Sequence, residues 1–137
     1  MRLIELLFVR DLSLSPEALW PHVSDPALIS AWASVEITPL DGQPDRREVR
    51  MGPLVMTERL LVVEPPHTLV YSIIEGGGLR WHEGRVTLTP TEGGTQLQWH
   101  VALQPRLPGT GWIIRRQLTR QFEADLDTLA AQATGPG

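Results

Sequence analysis

The side chains whose types and spacing best suit acid–base chemistry are Tyr71, His82 and Glu58. Tyr71 alternates with Leu69 and Ile73, a pattern that predicts an inward-facing row on one strand. The register that keeps His82 inward places Tyr71 opposite it. A phenol and an imidazole that face each other in an apolar interior can orient the carbonyl or hydroxyl group of a ligand, or act as an acid–base couple.

A structural role for the pair is the simpler interpretation. A buried polar group without a hydrogen-bond partner costs about 1–3 kcal/mol. In this interpretation Tyr71 and His82 hydrogen-bond to each other or to a buried water and have no further role. The pattern places no Asp or Glu where it would polarise His82, which weakens the acid–base hypothesis. Tyr71, His82 and Glu58 are therefore candidates for catalysis and not assigned catalytic residues.

Glu58 lies in a strand whose inward face the sequence does not determine. One face carries Met56, Leu60 and Val62 beside Glu58, and the opposite face carries Val55, Leu61 and Val63. If Glu58 points outward, it is an ordinary solvated carboxylate. If it points inward, it is a buried carboxylate with a raised pKa and a candidate for catalysis.

Aromatic side chains, a methionine and an arginine make up the candidate binding set. Tryptophan is abundant, with five in 137 residues, and its large ring serves both to pack cores and to line cavities for flat ligands. The planar guanidinium group of Arg116 can hold a carboxylate or phosphate at a cavity mouth. Arginines spaced this way on a helix are more often solvated or paired, here Arg120 with Glu123. The candidate ligand-binding residues are Trp20, Trp32, Met56, Tyr71, His82, Trp99, Trp112 and Arg116.

The composition excludes several kinds of chemistry. The chain has a net charge of −4 and twelve basic residues, all of them arginine, and it contains no cysteine. Without lysine there is no Schiff-base enzyme and no phosphate-loop lysine. Without cysteine there is no thiol nucleophile, disulfide or thiolate metal site. An acidic chain with scattered arginines is not expected to bind nucleic acid, and we expect no cofactor.

Neither a membrane span nor a secretion signal is expected. The longest apolar stretches, such as Leu60 to Val63, fall far short of the roughly 20 residues that a span needs. The N-terminal segment MRLIELLFVRD has Glu5 within its apolar run and lacks a small-residue cleavage site. We therefore expect a cytoplasmic protein that forms a single domain over residues 1–137. Its association into a homodimer is left open.

Start signals predict two short helices after a first strand over residues 2–10. Ser15 is a typical N-cap, followed by proline at the first helical position. Pro21 keeps this helix short or kinks it, because proline lacks a hydrogen-bond donor. Asp25, again followed by proline, predicts a second helix over residues 27–32.

From residue 35 to residue 103 the apolar period changes to two, which predicts six further strands. Turn signals such as DGQPD, EPPH, EGGG and TPTEGG separate them. These connections leave no room for crossover helices, so the sheet is expected to be antiparallel. The predicted strands cover residues 35–37, 47–51, 55–63, 69–73, 79–88 and 97–103.

The register of the last hairpin follows from its turn. A turn at residues 92–93 pairs Leu88 with Leu97, whereas a slip of one residue sets Leu88 against a glutamine. On this register His82 faces the helix and His100 faces solvent. The two histidines therefore cannot share an ion, and we expect no metal site.

Apolar residues near the C-terminus recur at helical spacing and predict an amphipathic helix over residues 110–133. At 1.5 Å per residue this helix is about 36 Å long, roughly the diameter of the domain. It must therefore lie across the whole sheet, with its apolar stripe on the concave face. The stripe consists of Ile114, Leu118, Phe122, Leu126, Leu129 and Ala133. The tail over residues 134–137 is expected to be frayed.

Three motifs follow this order of elements: SPEALWPHVSDPALISAW after the first strand, VVEPPHTLVYSI, and EGRVTLTPTEGGTQLQWHV over the last hairpin. With the long final helix, they resemble the START-like and Bet v 1-like helix-grip superfamily (SRPBCC), most closely its bacterial polyketide cyclase/dehydratase-like branch. The resemblance implies an α+β fold in which a seven-stranded curved antiparallel sheet wraps around the C-terminal helix. It also implies an apolar cavity between them, and it transfers no catalytic residue.

Three functions are compatible with this fold. We favour a module that binds a small hydrophobic molecule, such as a lipid, quinone or polyketide-like compound, between sheet and helix. The first alternative is a cyclase or dehydratase-type enzyme that uses Tyr71, His82 and Glu58 on a polyketide-like substrate. The second is a protein-interaction module, like the co-chaperone relatives, in which the cavity is vestigial.

Overall fold

The computed structural model describes residues 3–133. In chain order its elements are β1 (Ile4–Leu12), α1 (Pro16–Ser24), α2 (Pro26–Ile29), β2 (Glu36–Leu40), β3 (Gln43–Met51), β4 (Leu54–Glu64), β5 (Thr68–Glu75), β6 (Leu79–Thr91), β7 (Gly94–Pro105) and α3 (Gly111–Ala133). In this part of the chain the strands form one antiparallel sheet in the order β1-β7-β6-β5-β4-β3-β2. The predicted helix-grip architecture of seven strands, two short helices and a long terminal helix is confirmed.

Irregular positions bend the sheet. The pairing of β4 with β5 shifts register at residues 57–58 and again at residues 60–62. The pairing of β6 with β7 shifts register near residue 80. Such bulges bend a strand and increase its twist, which suits a sheet that curves around a helix.

The start signals of the two short helices act as predicted. The Ser15 hydroxyl accepts a backbone N–H in the first turn of α1 at 3.2 Å, and the Asp25 carboxylate does the same for α2 at 3.0 Å. The helix α2 ends at Ile29 and not at residue 32. Beyond it the backbone tightens, because the N–H of Trp32 bonds only three residues back, to the carbonyl of Ile29.

The strand registers confirm one prediction and correct another. In the β6–β7 hairpin Leu88 lies opposite Leu97, as predicted. Tyr71 lies opposite Gly84, so its predicted pairing with His82 is wrong by two residues. A shift of two residues leaves a side chain on the same face. Tyr71 and His82 therefore remain neighbours, with ring centroids 5.6 Å apart.

The helix α3 crosses the sheet, but only its C-terminal half is closely packed. Leu126 and Leu129 are each 1% exposed. Phe122 stacks on Phe8 of β1 with the ring centroids 4.9 Å apart. The N-terminal half carries Ile114, which is only partly buried: it packs at the border of the core and lines an open space.

The observed strands differ modestly from the predicted ones at their ends. The strand β1 runs from Ile4 to Leu12, two residues later than predicted, and the strand β7 extends from Gly94 to Pro105. The predicted frayed tail, residues 134–137, lies outside the described residues, as does Arg2 of the predicted first strand. Between residues 3 and 133 we find no helix with the length and apolar character that a membrane crossing requires.

Candidate functional site

A cavity of about 510 Å³ lies between the N-terminal half of α3 and the concave face of the sheet. This volume is in the usual range for small-molecule sites. The apolar or small lining residues are Val23, Ile29, Trp32, Ala33, Val35, Ile37, Val49, Met51, Gly52, Leu54, Met56, Leu69, Ile73, Gly77, Leu79, Trp99, Val101, Leu103, Ile114, Leu118 and Phe122. The polar lining residues are Arg47, Glu58, Tyr71, His82, Gln117, Gln121 and Asp125.

Two exposed residues mark the mouth of the cavity. Leu54 follows the β3–β4 turn and is 43% exposed although it lines the cavity. Gln117 on α3 is also both exposed and part of the lining. A side chain combines these properties where a cavity meets solvent, so the mouth lies between the β3–β4 turn and the first turns of α3.

A buried ion pair forms part of the wall. Arg47 on β3 and Glu58 on β4 lie opposite each other and are 5% and 4% exposed. The Nε and Nη2 atoms of Arg47 both donate to Oε1 of Glu58, the first at 3.0 Å. Burial raises the pKa of Glu58 above its ordinary value, and attraction to Arg47 opposes this shift without cancelling it. Glu58, whose direction the sequence left open, thus faces inward.

Tyr71 contributes a neutral hydroxyl group from β5. The indole Nε1 of Trp99 donates to its oxygen at 2.8 Å. Within the described residues no acceptor takes the hydroxyl proton, so Tyr71 can still donate one hydrogen bond. Burial, and to a smaller extent the Glu58 charge, raises the pKa of Tyr71 and keeps the phenol protonated. The ring packs directly on Gly84, where a Cβ atom would lie 2.2 Å from Cζ of Tyr71.

His82 is a neutral imidazole in a fixed tautomer. Its Nδ1 atom accepts the backbone N–H of Ile73 at 3.0 Å, so the ring proton is on Nε2. Burial lowers the pKa of His82 to about 4, which keeps the ring uncharged at neutral pH. Among the described residues no group accepts a hydrogen bond from Nε2. Because His82 lines the cavity, this N–H is the second donor available to a ligand.

The sequence matches the profile of one protein family over residues 8–134. This is the family of polyketide cyclase / dehydrase and lipid transport proteins. The chain belongs to this family. No curated protein matches the sequence.

Solved structures share the fold of this family member. A START superfamily protein from Mycobacterium smegmatis is 15% identical, with a TM-score of 0.76 and 96% of each chain covered. A protein from Rhodobacter sphaeroides is 26% identical, with a TM-score of 0.70 and coverage of 93% of this chain and 90% of the other. The di-domain ARO/CYC StfQ from the steffimycin biosynthetic pathway is 14% identical, with a TM-score of 0.76. The superposition covers 96% of this chain and 50% of the StfQ chain. These likenesses show the START-like (SRPBCC) helix-grip fold.

Five of the predicted binding residues lie on the cavity wall of this polyketide cyclase/dehydrase family member. They are Trp32, Met56, Tyr71, His82 and Trp99. Trp32 packs edge-on against Trp99 with the ring centroids 5.7 Å apart. Its Nε1 atom donates to the backbone carbonyl of His22 at 2.8 Å, which anchors the indole. That these residues bind a ligand stays a prediction.

Trp20, Trp112 and Arg116 do not lie on the cavity wall, contrary to prediction. Trp112 is 67% exposed. Arg116 is two positions from the cavity-lining Ile114, hence about 200° around the helix, so it faces away from the cavity. Trp20 is half-buried on α1 and packs against the core.

Polar residues that the sequence analysis missed complete the site. Arg47 stands in the charged run DRRE, although its alternation with the buried Val49 is a signal for the inward face. Asp125 is three residues after Phe122, on the apolar stripe of α3. Its carboxylate accepts the backbone N–H and the hydroxyl of Ser34 at 3.0 and 2.6 Å, which ties the α2–β2 loop to the helix. Between residues 3 and 133, no group of three His, Asp or Glu side chains is arranged to hold a metal ion.

Proposed function

We propose that this family member binds a small, uncharged hydrophobic molecule that carries a carbonyl or similar acceptor group. The observation that carries this proposal is the 510 Å³ cavity with apolar walls and two neutral donors on one side, at Tyr71 and His82. Lipids, quinones and polyketide-like compounds are all of this class. The open cavity gives no support to the alternative in which it is vestigial.

The polar groups of the wall restrict what the ligand can offer them. The Tyr71 oxygen already accepts a hydrogen bond from Trp99, and His82 Nδ1 already accepts one from the backbone N–H of Ile73. The Tyr71 hydroxyl and the His82 Nε2–H are therefore left to donate to a ligand. A ligand that carries an acceptor satisfies them, whereas a ligand that carries only donors does not. Arg47 and Glu58 compensate each other, and the Asp125 carboxylate accepts its hydrogen bonds from Ser34. The wall therefore offers no free cation to an anionic ligand.

The matched pair 2-acetylnaphthalene and 2-ethylnaphthalene tests this proposal, because the two differ only in the carbonyl group. We expect the ketone to bind with micromolar affinity and more tightly than the hydrocarbon, measured by quenching of tryptophan fluorescence and by calorimetry. Each hydrogen bond contributes about 1 kcal/mol, so Tyr71→Phe and His82→Asn should each reduce the preference for the ketone by about fivefold. Asparagine keeps an acceptor near the Ile73 amide and removes the Nε2–H donor.

A filled cavity provides the control. Ala33 lines the cavity, and Ala33→Phe should abolish binding of both compounds. Ala27 is exposed on α2, so Ala27→Phe should leave binding unchanged. If Ala33→Phe and Ala27→Phe bind the ketone equally well, the ligand lies elsewhere and the proposal is wrong.

A second function, proton abstraction next to a carbonyl group, is favoured by one observation. Glu58 is a buried carboxylate with a raised pKa in the same wall as the two donors. As a base it would take a proton from the carbon beside the carbonyl, while the C–H electron pair forms a C=C bond. The carbonyl electrons then move to oxygen, where Tyr71 and His82 stabilise the charge. Cyclisation and dehydration of polyketide-like substrates begin with such a step.

Hydrogen exchange at the methyl group of 2-acetylnaphthalene distinguishes catalysis from binding. In D₂O the wild type should accelerate the replacement of methyl protons by deuterium, followed by loss of the NMR signal. Glu58→Gln keeps an acceptor for Arg47 but removes the base, so it should return exchange to the rate in buffer. A wild type that binds the ketone without accelerating exchange would leave the binding proposal standing and refute this second function.

A further inference from the structure

The segment from Arg106 to Arg120, called the arginine edge below, has an unusual exposed surface. It includes the β7–α3 loop and the first turns of α3. Leu107 and Trp112 are 68% and 67% exposed, and Ile113 is 39% exposed. The segment contains four arginines and no acidic residue, although the whole chain has a net charge of −4.

Helix geometry gathers the exposed groups on one side. Relative to the cavity-lining Ile114, the positions of Trp112, Ile113, Arg116 and Arg120 fall within about 160° to 260° around the helix. They therefore share the side of α3 that faces away from the cavity. The large apolar side chains Trp112 and Ile113 are in the first turn, and the cations of Arg116 and Arg120 follow in the next turns.

The arginines of this edge are available for a partner. In the described part of the chain, none of the four guanidinium groups forms an ion pair. Arg106 and Arg115 each donate to a backbone carbonyl, of Leu79 and Glu5 respectively, and the Glu5 carboxylate contacts His100 instead. The predicted pairing of Arg120 with Glu123 is wrong, because Glu123 pairs with Arg10.

We infer that the arginine edge docks on an anionic lipid surface. Tryptophan and leucine side chains enter the headgroup region of a bilayer, where the indole has both apolar and polar neighbours. Arginines beside them are attracted to anionic headgroups, and the aliphatic part of each arginine lies along the apolar boundary. A protein partner would need an acidic surface with a pocket for Trp112. A bilayer of anionic lipids offers negative charge at every point of its surface, and its headgroup region accepts an indole anywhere.

The edge adjoins the mouth of the cavity. Ile113 and Gln117 are one helical turn apart, and Gln117 lies at the mouth. Docking through the edge would therefore bring the mouth close to the lipid surface, so that an apolar ligand could pass with little exposure to water. The inference concerns the outer side of α3 and does not depend on what the cavity binds.

Vesicle flotation with the full chain tests this inference. We expect binding to vesicles of phosphatidylcholine mixed with phosphatidylserine, weak binding to phosphatidylcholine alone, and loss of binding at high salt. Each cation near an anionic surface contributes about fivefold to partitioning, so Arg116→Gln/Arg120→Gln should reduce it about 25-fold. Trp112→Ser should also reduce it, because less apolar surface enters the lipid.

Matched substitutions elsewhere on the surface provide the controls. Trp81 is 42% exposed and Arg85 is exposed, both on the outer face of β6. Trp81→Ser and Arg85→Gln should partition like the wild type. The inference is overturned if the wild type ignores the mixed vesicles, or if the edge variants and the controls partition equally. It is likewise overturned if the chain forms a dimer that Trp112→Ser dissociates while vesicles are not bound.

Discussion

Replacing Arg47 with methionine should lower the free energy of unfolding by about 3–5 kcal/mol at pH 7. The substitution removes the partner of Glu58 and leaves a carboxylate that is only 4% exposed. An unpaired charge in such surroundings must either remain desolvated or take up a proton, and both cost free energy. Urea unfolding followed by far-UV circular dichroism measures the loss.

The double variant Arg47→Met/Glu58→Leu separates the lost attraction from the unpaired charge. Replacing both partners of a buried ion pair by apolar side chains is often neutral or stabilising, because it removes two desolvation costs at once. We therefore expect the double variant to be about as stable as the wild type. If it is as unstable as Arg47→Met alone, the unpaired Glu58 carboxylate is not the cause of the loss.

An exposed ion pair on the same strands supplies the control. Arg59 Nε and Asp45 Oδ2 are 3.1 Å apart, and their side chains are 50% and 46% exposed. Arg59→Met should cost less than about 1 kcal/mol, since surface pairs contribute little. Equal costs for Arg47→Met and Arg59→Met would mean that the buried pair is not desolvated.

The pH dependence of Arg47→Met has a definite sign. Removing Arg47 raises the pKa of Glu58 further above its unfolded value of 4.5, because the lowering influence is lost. The folded variant then binds a proton that the unfolded chain has released, so its stability falls as the pH rises above about 4.5. The difference in stability from the wild type should therefore be large at pH 7 and shrink toward pH 4.5.

The fold was predictable because its signals are periodic and local. A period of two over residues 35–103 and a helical period after it determine the order of strands and helix. The register of the last hairpin followed from the pairing of Leu88 with Leu97, since a slip would bury a glutamine. The pairing of Tyr71 was wrong by two residues, because a shift of two keeps every side chain on its face and apolar patterning cannot detect it.

The polar part of the site was harder to predict, for a different reason. Both faces of β4 carry several apolar residues and a charged one, so alternation could not determine the direction of Glu58. Arg47 lies in the charged run DRRE, and its partner Glu58 is on the neighbouring strand. Each of these two charges can be buried only because it pairs with the other. The pair spans two strands, so the sequence of one strand alone does not predict it. Exposure of Trp112 was missed because an indole is normally expected inside.

Acid should unfold this protein partly through His82. Burial lowers the pKa of His82 to about 4, against an ordinary value of 6.5. Between these values the unfolded chain binds a proton that the folded chain does not, so the contribution of His82 to stability is complete above pH 6.5 and is lost as the pH falls toward 4. The shift corresponds to about 3 kcal/mol over this interval.

The variant His82→Asn isolates this contribution. It should be less stable than the wild type at neutral pH, because it loses packing, but it should lose less stability than the wild type between pH 6.5 and pH 4. Glu58 acts in the opposite direction in acid, since its raised pKa favours the protonated folded state; it is present in both proteins, so it largely cancels in their difference. Urea unfolding at several pH values measures how the free energy of unfolding changes with pH. If that dependence is identical for His82→Asn and the wild type, His82 is protonated in the folded protein as readily as in the unfolded chain. Its assignment as a neutral donor in the cavity wall would then be wrong.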